Sequence, residues 1–184
     1  MSAIMKDLSE PWDDWYHCNG NTYGTWLRGD PRGWRARHHR EHVEGDYRKP
    51  PAPGTHEREL AQSRQLMNRE PVRLSREAAA VACARMAEAL RFHLVMVEAM
   101  CVDDHHFHVL VRCPDHDPRK WVGIAKKESA RALSSAGLAK PGGVWAVRFR
   151  CLPVKDESHF ANIARYIAAH ERRGASVWTR SRTH

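Results

Sequence analysis

Long apolar runs are missing from this 184-residue chain: the longest, around Leu94 to Val102, is interrupted by Glu98 and falls far short of the ~20 residues that span a bilayer. A membrane partner is therefore not expected. The stretch from Met1 to Glu10 lacks a basic start followed by an apolar core, so no secretory signal is read in it. There is no CxxC pair: Cys18, Cys83, Cys101, Cys113 and Cys151 are scattered through segments that read as core. That pattern predicts free thiols in a reducing compartment. Acidic residues are outnumbered, 22 against 30 Lys and Arg, giving a net charge of +8. The excess favours a polyanionic partner, nucleic acid first. A bacterial-type cytoplasm, with association to the nucleoid, is the expected location. No internal repeat is present.

At this length, with 42% hydrophobic residues, one ordinary core is what the chain can bury. We expect a single domain over residues 1–184, with 28–70 an inserted basic loop or linker and 175–184 a basic tail. Trp15 to Tyr23 suits a short strand and runs into a turn-rich loop, Gly24 to Trp34. Arg35 to Thr55 is polar, rich in His and Arg, and ends in a Pro-rich segment that reads as surface loop. Ser75 is a good N-cap for a helix over Arg76 to Leu90, whose Val81, Met86 and Leu90 can face a core. Phe92 to Val102 reads as a buried strand, Asp103 and Asp104 as a turn, and His106 to Cys113 as the returning strand. Pro118 opens a helix ending near Gly137, Val144 to Leu152 alternates as a strand, and Asp156 or Ser158 caps a last helix running to Gly174. The order predicts an α+β fold: a ferredoxin-like, split βαββαβ antiparallel sheet with an additional C-terminal helix.

Two groups of residues carry chemistry. In Asp104-His105-His106-Phe107-His108-Val109-Leu110-Val111, strand alternation puts His106 and His108 on one face, roughly 6–7 Å apart along the backbone, with Phe107, Val109 and Val111 on the other. Two imidazoles so placed can close on one divalent ion, and the setting, after a hairpin turn on the strand expected to be central, favours that use. In Phe160 to Arg173, at about 100° per residue, Phe160, Ile163, Ala164 and Ile167 share an apolar stripe. Asn162, Tyr166, His170 and Arg173 share a separate polar one. A phenol is a poor nucleophile near neutral pH, so attack on phosphorus needs a phosphate polarised by a cation and a tyrosine held in line. Tyr166 is the candidate nucleophile, His106 and His108 two metal ligands, and His170, one helical turn beyond Tyr166, a third.

These segments resemble the single-tyrosine HUH transposases. Val102 to Val111 is similar to their histidine-hydrophobic-histidine strand and Arg165 to His170 to their catalytic helix. The likeness extends to Tyr23-Gly24-Thr25-Trp26-Leu27, Gly29-Asp30, Lys126-Lys127 and Val144-Trp145. The branch resembled is that of the REP-associated tyrosine transposases and their domesticated relatives. The resemblance implies the ferredoxin-like fold, Mg²⁺ or Mn²⁺ as cofactor, single-stranded or hairpin DNA as partner, and cutting and rejoining of DNA through a 5′-phosphotyrosine link. The chain departs from the family pattern in having Asp104-His105 where Pro-Asn is usual, and His170 where Gln or Asn is frequent. The first departure leaves the ligand register open, and Glu171 and Asp104 remain rival ligands. Three imidazoles would shift metal preference toward softer ions such as Mn²⁺ or Zn²⁺.

Contacts to DNA are expected from the inserted region, where Arg28, Arg32, Arg35, Arg37, Arg40, Arg48 and Lys49 lie near Trp26 and Trp34, a combination suited to unpaired strands. Lys126 and Lys127 are added by the family resemblance, and the tail Arg172 to Arg182 is basic as well. Two other classes of function compete with the enzyme. One is a domesticated, non-catalytic DNA-binding protein on the same fold, although Tyr166, His106 and His108 are all present. The other is a metal-dependent hydrolase unrelated to DNA. A histidine-triad nucleotide hydrolase would want a histidine at the position of Leu110. A homodimer is an open alternative, as is whether Tyr166 acts within its own subunit or across a pair.

Overall fold

The computed structural model describes residues 12–35, 42–44, 52, 54–140 and 142–180, with backbone alone at 34–35 and 42–44. Its centre is a five-stranded antiparallel sheet built from β1 (Trp15–Thr22), β4 (Met96–Val102), β5 (His106–Arg112), β6 (Trp145–Pro153) and β7 (Ser176–Thr179). The spatial order is β6-β1-β5-β4-β7. The first four of these are a ferredoxin-like split βαβ arrangement, in which β1 and β4 run parallel with β5 inserted between them. β5 is thus the middle strand.

Each long helix begins where a side chain can take up orphan N–H groups. Ser75 accepts from the Ala78 amide ahead of α2 (Arg76–Phe92), and Asp117 from Lys120 ahead of α3 (Pro118–Ser135). Asp156, not Ser158, caps α4 (Glu157–Ala168), which tightens into a 3₁₀ turn over Ala169–Arg173. Gly174, at φ 87°, ends it in the left-handed conformation that glycine adopts without steric cost.

The sheet has two different faces. α2 and α3 pack on one through Ala82, Met86, Leu90, Val122 and Leu133, which meet Cys18, Val97, Phe107, Val109 and Val111. α4 lies on the other, where Ile163 and Ile167 meet Trp15, Ala99, Cys101 and Leu110. Strand alternation fixes this division: Phe107, Val109 and Val111 point to the two-helix face, which leaves His106, His108 and Leu110 for the α4 face. Gly20, between Phe107 and Phe149, has no room for a side chain, since a Cβ there would sit 2.7 Å from Phe149 Cβ.

Several boundaries differ from those expected. The strand read over Phe92 to Val102 is shorter, because α2 continues to Phe92 and Leu94 turns the chain at φ 58° before β4 starts at Met96. The inserted region is not structureless: Gly33–Arg35 (β2) and His42–Glu44 (β3) pair as a hairpin, and α1 spans Glu57–Gln65. Residues 176–179, read as part of a basic tail, form the edge strand β7 on β4. The expected five free thiols are corrected at one pair. Cys18 and Cys151 stand opposite each other in the β1–β6 register and form a disulfide, while Cys83, Cys101 and Cys113 are free and buried. Cross-strand register at that separation leaves no spacing signal. Among the described residues, no helix is long and apolar enough to cross a membrane.

Candidate active site

The turn between β4 and β5 builds the first part of the site. Asp103 Oδ1 accepts the backbone N–H groups of His105 and His106 at 2.9 and 2.8 Å, which closes the turn. Its other oxygen, Oδ2, lies 2.8 Å from His106 Nδ1. Burial alone would raise the Asp103 pKa, but the hydrogen bonds from His106 and from the two amides outweigh it and hold the carboxyl well below its usual range. One carboxylate therefore both shapes the hairpin and orients an imidazole. Asp104 turns the other way, to Arg73 at 2.6 Å and to His105.

α4 supplies the second part. His170 falls in the 3₁₀ turn, is 3% exposed, and places its Nδ1 2.8 Å from the Tyr166 carbonyl. The nitrogen donors of His106, His108 and His170 all lie within 4.8 Å of one another. Tyr166 lies beside two of them, its ring edge-on to His108 at 5.2 Å and to His170 at 4.7 Å between centroids. With 49% of its surface exposed, Tyr166 faces an open cleft of about 470 Å³ that is also lined by Trp26, Asn19 and Arg150. The expected ligand register, His106 with His108, is the one that meets His170. His105 belongs instead to a second group with Asp103 and His106, and Glu171 is exposed.

The donor set suits a cation. A ring nitrogen binds metal through its lone pair, and the proton on the other nitrogen must find an acceptor. Asp103 Oδ2 serves His106, the Tyr166 carbonyl serves His170, and a nitrogen of His17 lies 3.0 Å from His108 Nδ1. Each Nδ1 is occupied, which leaves three Nε2 atoms for an ion. Burial first, then the neighbouring histidines, push the His108 pKa far down against the opposing pull of Asp103. A neutral imidazole is the form that a metal requires.

The loop after β1 is fastened to this centre. Thr22 donates its hydroxyl to the Val72 carbonyl at 2.6 Å, and its amide donates to the His105 carbonyl at 2.8 Å. Trp26 is 43% exposed at the rim of the cleft, its indole N–H bonded to the Gly33 carbonyl and its ring under the Arg32 guanidinium at 4.3 Å. Arg32 is held by Asp30 at 2.6 Å. Arg28 and Lys127 are exposed.

Lys126, expected to contact DNA, is 7% exposed and turns inward, donating to the Ala146 carbonyl at 2.8 Å and lying over the Phe149 ring. This is a correction with a plain cause. Val122, Lys126, Ser129 and Leu133 form one stripe of α3, and that stripe is buried. Burial lowers the Lys126 pKa to about 8. The Trp34 and Arg35 side chains, and Arg37, Arg40, Arg48 and Lys49, lie outside the described residues. Sequence reasoning missed His17, Asp103 and Arg150. Arg150 is exposed between the half-buried Phe149 and Cys151 of β6, a period-2 signal that was available.

Residues 66–170, more than half of the chain, match the family model described as IS200-like transposase. The chain belongs to that family. A transposase family has DNA as its partner class, and the matched segment contains both donors of the histidine strand and the tyrosine helix. Among solved structures, a REP-associated tyrosine transposase bound to a REP hairpin aligns with this IS200-like chain at 12% identity and a TM-score of 0.47, over 92% of this chain and 75% of that one. No curated protein matches it.

Proposed function

We propose that this IS200-like transposase cuts and rejoins single-stranded or hairpin DNA through a covalent bond to Tyr166. The observation that carries the reading is the convergence of His106, His108 and His170 beside a half-exposed tyrosine. A divalent cation, Mg²⁺ or Mn²⁺, held by the three Nε2 atoms would polarise the scissile phosphate and offset charge developing on it. Nitrogen donors favour Mn²⁺ of the two.

Tyr166, half in solvent, gives its phenolic proton to water and its oxygen attacks phosphorus. The bond from phosphorus to the 3′ oxygen breaks, that oxygen leaves as a 3′-hydroxyl after taking up a proton, and the 5′ side stays on the enzyme as phosphotyrosine. Attack by a 3′-hydroxyl on the same phosphorus reverses the step and joins a strand. Arg150, lining the cleft beside Tyr166, is placed to meet a backbone phosphate, and the exposed Trp26 ring offers an unpaired base a surface to stack on. Arg28 and Lys127 add positive charge, and Arg32 supports the Trp26 ring.

The test is denaturing electrophoresis after incubation of the protein with Mn²⁺ and a labelled pool of single-stranded hairpin oligonucleotides. A covalent adduct is expected from the native chain and none from Tyr166→Phe, which keeps the ring and its packing. An adduct that survives in Tyr166→Phe would remove Tyr166 from the role. DNA retained only without a covalent bond would favour the non-catalytic binding protein.

A further inference from the structure

Three imidazoles complete the proposed cation site, yet a fourth lies against it. His17 on β1 shares the α4 face with Trp15 and Asn19, by strand alternation. Its Nε2 is 3.0 Å from His108 Nδ1, and the two rings meet edge to edge with centroids 5.2 Å apart and planes inclined by 24°. Neither the family match, which begins at residue 66, nor the three-histidine group includes it.

Two imidazole nitrogens at hydrogen-bond distance share one proton, because two lone pairs or two N–H groups would repel. That leaves two arrangements for a neutral pair. If His17 Nε2 donates, His108 accepts at Nδ1 and carries its own proton on Nε2, the nitrogen left for the cluster. A cation could not then bind there. If His108 Nδ1 donates, His17 accepts at Nε2 and keeps its proton on Nδ1, and the His108 Nε2 lone pair is available. Only the second arrangement agrees with the other two histidines, whose Nδ1 atoms face a carboxylate and a carbonyl, groups that can only accept.

We propose that His17 is a positioning residue: it accepts the His108 Nδ1 proton and thereby fixes His108 in the tautomer whose Nε2 can hold a cation alongside His106 and His170. The proposal rests on the reading of those three histidines as a cation site. His17 differs from Asp103 and the Tyr166 carbonyl in one respect. An imidazole can turn donor, so the choice of tautomer at His108 is a property of the pair and of its surroundings on β1.

The experiment has one arm without metal and one with it. Nitrogen-15 long-range correlation spectra of the full-length, metal-free protein should show His108 protonated on Nδ1 and unprotonated on Nε2. His17→Phe, which keeps a flat ring but no acceptor, should convert His108 to a mixture of tautomers, and His17→Gln, whose amide oxygen reaches the place of Nε2, should restore the single form. Calorimetric titration with Mn²⁺ alone should give an affinity about 10–100-fold lower for His17→Phe, as for other residues that orient a ligand, and near-native affinity for His17→Gln. A native His108 protonated on Nε2, or a His17→Phe variant that binds Mn²⁺ as the native chain does, overturns the proposal. Native protein that binds no Mn²⁺ while His108 shows the expected tautomer overturns the cation site and leaves the His17 to His108 hydrogen bond established.

Discussion

Acid should destabilise the metal-free protein in a pH window set by buried histidine rather than by carboxylate. Burial first, then electrostatic repulsion from His159, Arg150 and His170, lower the His17 pKa from 6.5 to about 4. Those neighbours come from α4, β6 and the 3₁₀ turn, and His108 faces His17 from β5 with its own pKa lowered further. Between about pH 6.5 and 4 the unfolded chain therefore binds a proton at this position that the folded chain refuses. Stability is fully present above 6.5 and is lost as the pH falls through the window. A shift from 6.5 to about 4 corresponds to roughly 3 kcal/mol at about 1.4 kcal/mol per unit. Because His17 and His108 share a hydrogen bond they titrate as a pair; the loss from His108 also begins near pH 6.5, where the unfolded histidine takes up its proton, and it continues below pH 4. Asp103, with its pKa lowered, adds its own loss only in the carboxylate range. Against a typical total of about 5–15 kcal/mol, the histidine loss is large. Urea denaturation in the presence of a chelator, at intervals from pH 7.5 to 4, measures it. The native chain should lose more than roughly 3 kcal/mol over the window, since that figure is for His17 alone and His108 adds a loss of the same sign; the double variant His17→Phe/His108→Leu should lose far less, and Mn²⁺ should move the native transition to lower pH by competing with the proton. A flat profile in the native chain, or the same slope in the double variant, would refute the reasoning.

His106→Ala and His108→Ala should each abolish Mn²⁺ binding by calorimetry at concentrations that saturate the native chain, because two nitrogens are left to hold the ion; undiminished binding by the double variant would dismiss the site. Affinity for hairpin DNA should fall on the order of 10³-fold between about 50 and 200 mM salt if about six phosphates are contacted. Anisotropy titrations showing equal affinity for hairpin and full duplex at every salt concentration would contradict a preference for unpaired strands. Ile167→Ala removes a fully buried side chain that holds α4 on the sheet and should cost about 2–5 kcal/mol in urea unfolding, with adduct yield falling along with it; a loss below about 1 kcal/mol would mean that α4 is anchored elsewhere.

What the sequence made legible was local in period. Alternation alone separates His106 and His108 from Phe107 and Val109, and the helical stripe alone separates Tyr166 from Ile163 and Ile167, so the two halves of the candidate site are readable without a model. That the halves meet follows from the split βαβ order, which puts β5 in the middle of the sheet and leaves its second face to α4. What stayed hidden depends on register between distant segments. His17 reaches His108, and Cys18 reaches Cys151, only because β1 lies between β5 and β6 in one alignment of many. Lys126 is different in kind: its place on the Val122 to Leu133 stripe was visible, but a lysine reads as solvent-facing until the Ala146 carbonyl is seen to receive it.

The change of helix type at Ala169 explains how one short segment provides both a sheltered ligand and an accessible nucleophile. In a continuous α-helix, residues four apart differ in direction by roughly 40°, so Tyr166 and His170 would share nearly the same exposure. The 3₁₀ turn over Ala169–Arg173 advances each residue by about 120° instead of about 100° and increases the rise. Over two such steps the angle between Tyr166 and His170 opens to roughly 80°. His170 is thereby rotated onto the sheet, against His106 at 5.4 Å and His108 at 5.1 Å between ring centroids, while Tyr166 stays half in solvent, where a flexible strand can reach it. The hydrogen bond from His170 to the Tyr166 carbonyl ties the two positions together, so that the backbone carrying the nucleophile also sets the orientation of the ligand. Gly174 then permits the left-handed exit that returns the chain to the sheet edge as β7, pinning the far end of the tyrosine segment to β4, next to the strand that carries His106 and His108.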